Sequence, residues 1–335
     1  MTRWTRRRAL AAVASVAALL LGGGGPAAAR AADEDTFTIA IVPDTQQEVL
    51  DAKDTRLKDR FQWLADNRAK LNLKVVLQTG DFVNWDTPDH IQYVRASAAL
   101  EVLDRAVLPY SIAIGNHDTA ATKEGGSAAP GNTHDNQRNT TTFNRYFPAS
   151  RMKWLTGFYE PGKVDNAYQT FTAGGLKWLV LNLELWPRAG AVEWARSVAE
   201  KHPDHNVIVI THSHVTRGNE IEQRNGGYGD NSPQFVFDRF LSRVPNVRLM
   251  FSGHVGSHGY RTDAVAGGGT LYSFLTTYHS NTDNPVRLLT IDTKKGTMTT
   301  RVFAPSTGKD RDDGSARTVT GVAWVKPSAA AAARK

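Results

Sequence analysis

The sequence has no cysteine among its 335 residues. This absence excludes a disulfide framework and any thiolate metal site, so a bound metal would need oxygen and imidazole ligands. The chain also lacks an apolar run of the roughly 20 residues that a membrane-spanning helix needs, which predicts a protein without a membrane span. No fixed-period repeat and no Pro/Gly/Ser-rich linker divides its middle, which favours one large domain.

The chain also has little net charge when the N-terminal segment, residues 1–31, is left out. The formal net charge is +7, but five arginines lie within residues 1–31, ahead of any acidic residue. Without them, 35 Lys and Arg face 33 Asp and Glu, a net charge of +2. A nearly neutral chain does not predict general binding to nucleic acids or to membrane surfaces.

The N-terminal segment has the composition of a signal peptide. A basic head is followed by an apolar run, Ala9–Leu21, then by a Gly-rich break and the small-x-small sequence Ala29-Arg30-Ala31. We therefore expect residues 1–31 to be removed and the mature protein to be secreted or extracytoplasmic. The run Thr5–Leu10 (TRRRAL) resembles a twin-arginine signal, and an arginine-rich ordinary secretory signal is the alternative.

From Thr36 onward, short β-rich runs alternate with helical patterns, which indicates the α/β class. The expected domain covers residues 36–305, followed by a partly disordered tail, residues 306–335. Helices are predicted at Arg56–Leu71, His90–Val107 and Ala191–Lys201. Strands are predicted at Phe37–Pro43, Val75–Gln78, Tyr110–Ile114, Ala167–Thr172, Lys177–Leu183, Val207–Thr211, Val247–Ser252, Thr270–Thr276, Arg287–Asp292 and Thr297–Val302. A long loop, Thr119–Thr142, and the segment Val215–Gln234 are expected to wall a pocket.

Five of the predicted strands end just before a residue that can bind a metal: Asp44, Asp81, Asn116, His212 and His254. Ligands of open α/β sheets gather at the carboxyl ends of the strands, so these side chains can converge on one small volume. Their oxygen and imidazole atoms suit divalent Mn, Fe or Zn. Taken singly, each Asp could instead cap a helix, and each His could be a buried structural residue.

These residues stand in five short motifs. The motifs are Asp44-Thr45-Gln46, Gly80-Asp81, Gly115-Asn116-His117-Asp118, Thr211-His212 and Gly253-His254. In this order, across about Phe37 to Phe303, they resemble the motifs of the calcineurin-like metallophosphoesterases. The resemblance implies a four-layer α-β-β-α sandwich of two mixed sheets flanked by helices, and a metal-dependent phosphoric ester hydrolase.

The resemblance also implies a dinuclear site for two divalent metal ions, with Mn, Fe or Zn as candidates. Asp81 would bridge them; Asn116, His212 and His254 would complete one, and Asp44 would serve the other. In such a site a metal-activated water attacks the phosphorus.

The same resemblance implies catalytic roles for His117 and Asp118. His117 would protonate the departing oxygen or hold the phosphoryl group, and Asp118 would orient its ring. A positioned acid is of little use to a protein that only binds phosphate, so His117 favours an enzyme.

The chain departs from the family pattern at two positions on the Asp44 side. Gln46 stands where a His is usual, and Gly256 stands where a second His usually follows the last motif. We therefore expect a weakly held metal at Asp44. His214 or His258 could replace the missing imidazole, and Gln46 could bind the metal or contact a water.

Two functions remain open. The first is hydrolysis, outside the cytoplasm, of a phosphomonoester or phosphodiester by a monomer; the substrate would be a small-molecule, lipid or nucleotide phosphate ester. The alternative is a metal-dependent phosphate-binding protein with weakened or lost catalysis. Fold and metal site set the reaction class while loops set the substrate, so the sequence does not identify the ester.

Overall fold

A computed structural model describes residues 34–279 and 282–326. The predicted signal peptide and the last part of the predicted tail, residues 327–335, lie outside the described residues. Within the described ranges, no helix has both the length and the apolar composition needed to cross a bilayer.

The first sheet has seven strands and is mixed. Its strands are β1 (Thr36–Val42), β2 (Leu73–Gln78), β3 (Tyr110–Ile112), β11 (Val286–Asp292), β12 (Thr297–Ala304), β13 (Lys309–Asp310) and β14 (Arg317–Val319). The order is β13-β12-β11-β1-β2-β3, and β14 also pairs with β12. Strands β1, β2 and β3 run parallel, so their carboxyl ends lie at the same edge.

The second sheet also has seven strands and is mixed. Its strands are β4 (Leu155–Phe158), β5 (Ala167–Ala173), β6 (Leu176–Asn182), β7 (His205–Ile210), β8 (Val247–Ser252), β9 (His258–Val265) and β10 (Gly269–Thr276). The order is β4-β5-β6-β7-β8-β10-β9. Strands β6, β7, β8 and β10 are parallel, and β9 closes the edge antiparallel to β10.

The described residues also form helices between the strands. They are α1 (Arg56–Asp66), α2 (Arg68–Leu71), α3 (Ile91–Arg105), α4 (Thr133–Arg138), α5 (Thr141–Tyr146), α6 (Ala189–Glu200) and α7 (Pro233–Val236), which continues into a π-helical turn, Phe237–Leu241. Short 3₁₀ turns lie at Gln46–Val49 and Ala266–Gly268.

Three apolar cores hold the layers together. Ile39 and Ile41 of the first sheet meet Ile208 and Phe251 of the second in the central core. Helices α1 and α3 pack on the outer face of the first sheet, and α6 with the α7 region packs on the outer face of the second. The central strands are apolar on both faces because both faces are covered. This arrangement is the predicted four-layer sandwich of two mixed sheets flanked by helices.

The predicted helix Arg56–Leu71 is interrupted at Asn67. The backbone N–H and the side-chain amide of Asn67 both donate to the Trp63 carbonyl. The helix therefore ends before Asn67, and a separate turn, α2, follows. Asn side chains compete with the helical ladder in this way.

The predicted loop Thr119–Thr142 contains α4 and the start of α5. The side chain of Asn132 accepts hydrogen bonds from the backbone of His134 and Asp135, which caps α4. An Asn at this position is a helix-start signal that the polar composition obscured.

The chain after Pro305, which the sequence suggested was a separate tail, joins the fold up to Lys326. Strands β13 and β14 extend the first sheet, and Val322 and Trp324 are buried in the central core. The ring of Trp324 lies 5.2 Å from that of Trp178. Two isolated apolar residues in a polar segment give little periodic signal, so the sequence pattern does not predict that this segment packs on the core.

Candidate functional site

The structure brings the five predicted metal-binding residues to one region between the sheets. Asp44, Asp81 and Asn116 follow β1, β2 and β3 of the first sheet; His212 and His254 follow β7 and β8 of the second. All except Asn116 are buried or nearly so. The shared carboxyl edge of the parallel strands is what gathers them.

Asp81, His212 and His254 form the centre of this region. The Nε2 atom of His212 lies 3.0 Å from Oδ2 of Asp81 and 3.1 Å from Nδ1 of His254. One ligand-type atom from each residue lies within 4.8 Å of the other two. His212 Nδ1 lies 2.8 Å from the Thr79 carbonyl, and donation to that carbonyl fixes the ring with Nε2 directed into the cluster.

Residues next to this cluster carry buried oxygen atoms without hydrogen-bond partners. They are Oδ1 of Asp44, Oε1 of Gln46 and Oδ1 of Asn116. The other Asp44 oxygen accepts the backbone N–H of His254 at 3.1 Å. A buried polar atom normally has a hydrogen-bond partner, and oxygen acceptors that lack one can coordinate a cation instead. The donor set therefore fits divalent metals.

The pKa values of the cluster residues also favour a cation at this place. Burial raises the pKa of Asp44 well above its usual value, an effect that His212 opposes and Asp81 reinforces. Burial acts on Asp81 too, yet His212 and His117 hold the pKa of Asp81 well below its usual value. Although burial alone would lower it, Asp81 and Asp44 raise the pKa of His212 to about 9. The carboxylates thus draw positive charge into a buried volume, which a divalent cation also supplies.

His117 lies at the open side of the cluster. Its backbone N–H donates to Oδ1 of Asp81 at 3.0 Å, and its ring Nδ1 lies 2.6 Å from the Asn84 carbonyl. Donation to that carbonyl leaves Nε2 free, 4.0 Å from Oδ2 of Asp81. The side chain is 17% exposed, so the ring can meet a molecule that enters from solvent.

The expected contact between Asp118 and the His117 ring is absent among the described hydrogen bonds. Asp118 instead accepts the backbone N–H groups of Val83 and Gly115 at 2.9 and 3.0 Å. Burial, with a contribution from Asp81, raises the pKa of Asp118 to about 7. Asp118 therefore braces the segments that carry Asp81 and Asn116, and the Asn84 carbonyl orients His117.

The sequence suggests three further residues as possible ligands of a metal or the substrate. Gln46 lies in the cluster, where its Nε2 donates to Oδ2 of Asp81 at 3.3 Å. His214 is buried beside Arg261 and Asp263, and burial lowers its pKa to about 4. His258 begins β9, where its ring stacks on Tyr278 at 6.3 Å. The structure thus brings Gln46 to the site and leaves His214 and His258 apart from it.

His279 is a residue near the site whose role is not predicted from the sequence. It interacts electrostatically with Asp81, His117 and His212, and its Nδ1 is buried without a partner. It follows β10 as the other candidates follow their strands, and this is the signal that could have identified it.

A cavity of about 680 Å³ adjoins the cluster through His254. Its wall includes Trp186, Glu222, Arg224 and Asn225. The segment Val215–Gln234, predicted to wall a pocket, supplies most of this lining. A Cβ added at Gly126 of the predicted loop would lie 3.7 Å from Cε1 of His117, so this loop borders the site as well.

Comparison with known proteins agrees with this architecture. A relative of known sequence, the uncharacterized protein YvnB of Bacillus subtilis (strain 168), is 27% identical over 237 residues, which are 69% of this chain and 16% of YvnB. This chain thus spans about a sixth of the length of that relative. Among solved structures, a dimetal phosphatase from Danio rerio superposes with a TM-score of 0.51 at 13% identity, covering 85% of this chain and 98% of its own, which shows a shared fold.

A family model supplies the identification. The model described as calcineurin-like phosphoesterase matches residues 37–257, about two thirds of the chain. The matched range includes every residue of the Asp81–His212–His254 cluster. The chain therefore belongs to the calcineurin-like phosphoesterase family.

Proposed function

We propose that the protein is an exported, metal-dependent phosphoesterase that hydrolyses a phosphomonoester or a phosphodiester. The observation that supports this most directly is the group of Asp81, His212 and His254 atoms within 4.8 Å of one another. Asp44 and Asn116 each add a buried oxygen without a hydrogen-bond partner. The similarity in fold to a dimetal phosphatase is consistent with the proposal.

The residues divide between two metal positions. Asp81, Asn116, His212 and His254 would hold one divalent ion, and Asp44 would hold a second that shares Asp81. When bound, metals at such a site lower the pKa of a coordinated water and offset charge on the phosphoryl group.

His117 would handle the leaving group. Its Nδ1–H is committed to the Asn84 carbonyl, so a proton for the leaving group would be carried on Nε2, on the side of the ring that faces Asp81. From there it can pass to the departing oxygen. The backbone bond to Asp81 ties the acid to the cluster, so the proton is held at a fixed place relative to the phosphorus.

The cavity beside His254 is the proposed place for the organic part of the ester. Pockets of about 300–1,000 Å³ hold small organic ligands, and this one has about 680 Å³. Its polar lining, with Glu222, Arg224 and Asn225, suits a polar group. A small-molecule, nucleotide or lipid-headgroup phosphate ester agrees with this size.

The first experiment measures release of p-nitrophenol from mono- and bis-p-nitrophenyl phosphate with Mn²⁺. We expect metal-dependent turnover on at least one ester, and a fall in kcat of about 10²–10⁴-fold in His117→Ala. His205→Ala is the matched control, because His205 lies on β7 at the opposite end from His212 and should leave kcat unchanged. Absence of metal-dependent turnover on both esters across pH would favour the binding-protein alternative.

Export is tested separately. We expect the protein recovered outside the cytoplasm to have a mass that corresponds to cleavage after Ala31. Replacing Arg6, Arg7 and Arg8 by Lys keeps the charge and removes the arginine pair, so it should block export only if the twin-arginine receptor reads the signal. An uncleaved chain confined to the cytoplasm would contradict export by either route.

A further inference from the structure

The Asp44 side of the site lacks the imidazoles that the family pattern places there, and the structure shows why Gly256 cannot be exchanged for one. Gly256 has a φ of +70°, a conformation that L side chains rarely adopt. A Cβ at this position would lie 2.9 Å from Cγ of Arg217. An imidazole on this side must therefore come from another segment.

The carboxyl end of β10 is bonded to both of the segments that carry the acidic residues. The Thr276 carbonyl accepts from the Thr79 hydroxyl at 3.3 Å, two residues before Asp81. The Thr277 carbonyl accepts the backbone N–H of Asp44 at 3.1 Å. The chain then turns at Tyr278, where φ is +50°, and His279 follows. The strand thus delivers His279 to the Asp44 side.

The His279 ring is in a state suited to bind a cation. Its Nδ1 is buried without a hydrogen-bond partner. An imidazole nitrogen without a partner can offer its lone pair to a cation. The ring is close enough to Asp81, His117 and His212 to interact with them electrostatically.

Three unpaired buried atoms on this side distinguish a cation from an anion. Oδ1 of Asp44 and Oε1 of Gln46 are acceptors, and Nδ1 of His279 can be one. Phosphate oxygens are acceptors too, so a phosphate would leave Asp44 and Gln46 unmatched. A divalent cation binds acceptors of all three kinds.

We propose that His279, rather than His214 or His258, provides the imidazole ligand for the Asp44-side cation, together with Asp44, Asp81 and Gln46. The inference rests on the proposed function only in using the same metal site. It replaces the expectation of a poorly supported metal with a site in which an imidazole from β10 stands in for the family's missing histidines.

The test is a Mn²⁺ titration of the purified protein by calorimetry, with metal content measured by mass spectrometry. We expect two Mn²⁺ per chain in the wild type. In His279→Ala the weaker Kd should rise at least about tenfold, while the tighter one is unchanged, since even residues that only support a ligand change affinity by about 10–100-fold. Two sites with wild-type affinity in His279→Ala, or one site in the wild type, would overturn the proposal.

His258→Ala is the matched control. His258 pairs with Thr276 of the same strand β10 and is half-buried, yet it lies outside the cluster, so both Kd values should stay at wild-type levels. If His279→Ala does not fold, judged by its thermal unfolding without metal, His279→Asn serves in its place. Asn keeps a polar, neutral side chain, and the same weakening of one site is expected.

The outcome is separable from that of the proposed function. A His279-dependent second Mn²⁺ without hydrolysis of either nitrophenyl ester would reject the enzyme and leave the metal assignment standing. Hydrolysis of an ester, together with a second Mn²⁺ site whose Kd is unchanged in His279→Ala, would support the enzyme and reject the metal assignment. His212→Ala should abolish the tighter site, which identifies it independently of activity.

Discussion

At the scale of single residues, the glycines that precede the metal-type residues are explained by close approach. A Cβ on Gly115 would lie 2.1 Å from Oδ1 of Asp81, and one on Gly253 would lie 2.1 Å from Oδ1 of Asp44. Real Cβ atoms do not come so near, so any side chain here displaces a carboxylate of the cluster. The Gly-Asn and Gly-His pairs of the motifs are therefore steric requirements of the site.

The first prediction follows from this contact. Gly253→Ala should push the Asp44 carboxylate aside and thereby raise the Kd for Mn²⁺ at the proposed Asp44-side site by at least about tenfold. It should also lower the free energy of unfolding by about 1–3 kcal/mol, the usual cost of overpacking. Mn²⁺ calorimetry and urea unfolding measure the two effects. Gly218→Ala is the control, because its nearest neighbour would be a hydroxyl at 3.6 Å and both quantities should stay at wild-type values. Unchanged metal binding in Gly253→Ala would refute the steric account.

The sequence could predict the proximity of Asp44, Asp81, Asn116, His212 and His254 because each directly follows a strand and parallel strands end at one edge. Their binding of metal stays a prediction. The partner of His117 could not be predicted, because the Asn84 group involved is a backbone carbonyl, which every residue has. The predicted contact between Asp118 and the His117 ring was wrong, since the Asp118 carboxylate accepts two backbone N–H groups instead.

At the scale of elements, a cluster around Asp230 joins the loop Thr119–Thr142, which borders the site, to the segment Val215–Gln234, which walls the cavity. His134 Nε2 lies 2.9 Å from one oxygen of Asp230, and Arg138 Nη2 lies 2.8 Å from the other. The Thr133 hydroxyl also donates to the Gly227 carbonyl. These contacts hold α4 against the segment that walls the pocket.

The second prediction concerns the pH dependence of this contact. The hydrogen bond and charge of Asp230 raise the pKa of His134 above its usual value. The pair therefore stabilises the fold fully below the unfolded pKa of about 6.5, and the contribution is lost as pH rises through the higher folded pKa. For so exposed a pair the effect is at most about 1 kcal/mol.

The measurement compares free energies of unfolding at about pH 5.5 and about pH 8.5, on either side of the usual histidine pKa. His134→Gln keeps a hydrogen-bonding group and cannot titrate. It should lose stability relative to the wild type at the lower pH and match it more closely at the higher pH. An equal loss at both pH values would show that ionisation of His134 does not matter.

The central strands and long helices were predictable, whereas the edges were not. Strand β9 is half-exposed and polar, with Arg261 and Asp263 among its residues, so its apolar pattern is weak. Strands β13 and β14 have two and three residues and depend on pairing with β12. Such edges are set by tertiary contacts, which a local pattern does not contain.

The third prediction tests the segment that extends the fold beyond Pro305. Trp324→Ala removes a ring that packs at 5.2 Å on Trp178 in the central core, and should reduce the free energy of unfolding by about 3 kcal/mol. Urea denaturation measures this. Lys326→Ala, an exposed neighbour, should change it by less than about 0.5 kcal/mol. Equal stability of the two variants would mean that this segment adds nothing to the core.

At the scale of the whole molecule, the candidate metal site joins the two sheets. Asp44, Asp81 and Asn116 belong to the edge of the first sheet, and His212 and His254 belong to the edge of the second. Direct contacts across the gap include the His254 N–H bond to Asp44 and the His212 contact with Asp81. A cation held by both groups would therefore bind the folded chain far better than the unfolded one, in which these residues are far apart.

The fourth prediction is that metal stabilises the fold through this linkage. A ligand that binds only the native state adds about 2.7 kcal/mol at 100 times its Kd, so Mn²⁺ should raise the melting temperature and a chelator should lower it. His212→Ala should abolish most of the response, because it removes the imidazole at the centre of the cluster. His205→Ala, on the same strand but at its other end, should keep the full response. A melting temperature indifferent to Mn²⁺ and to chelator would mean that the two sheets are held by their apolar core alone and that no cation links them.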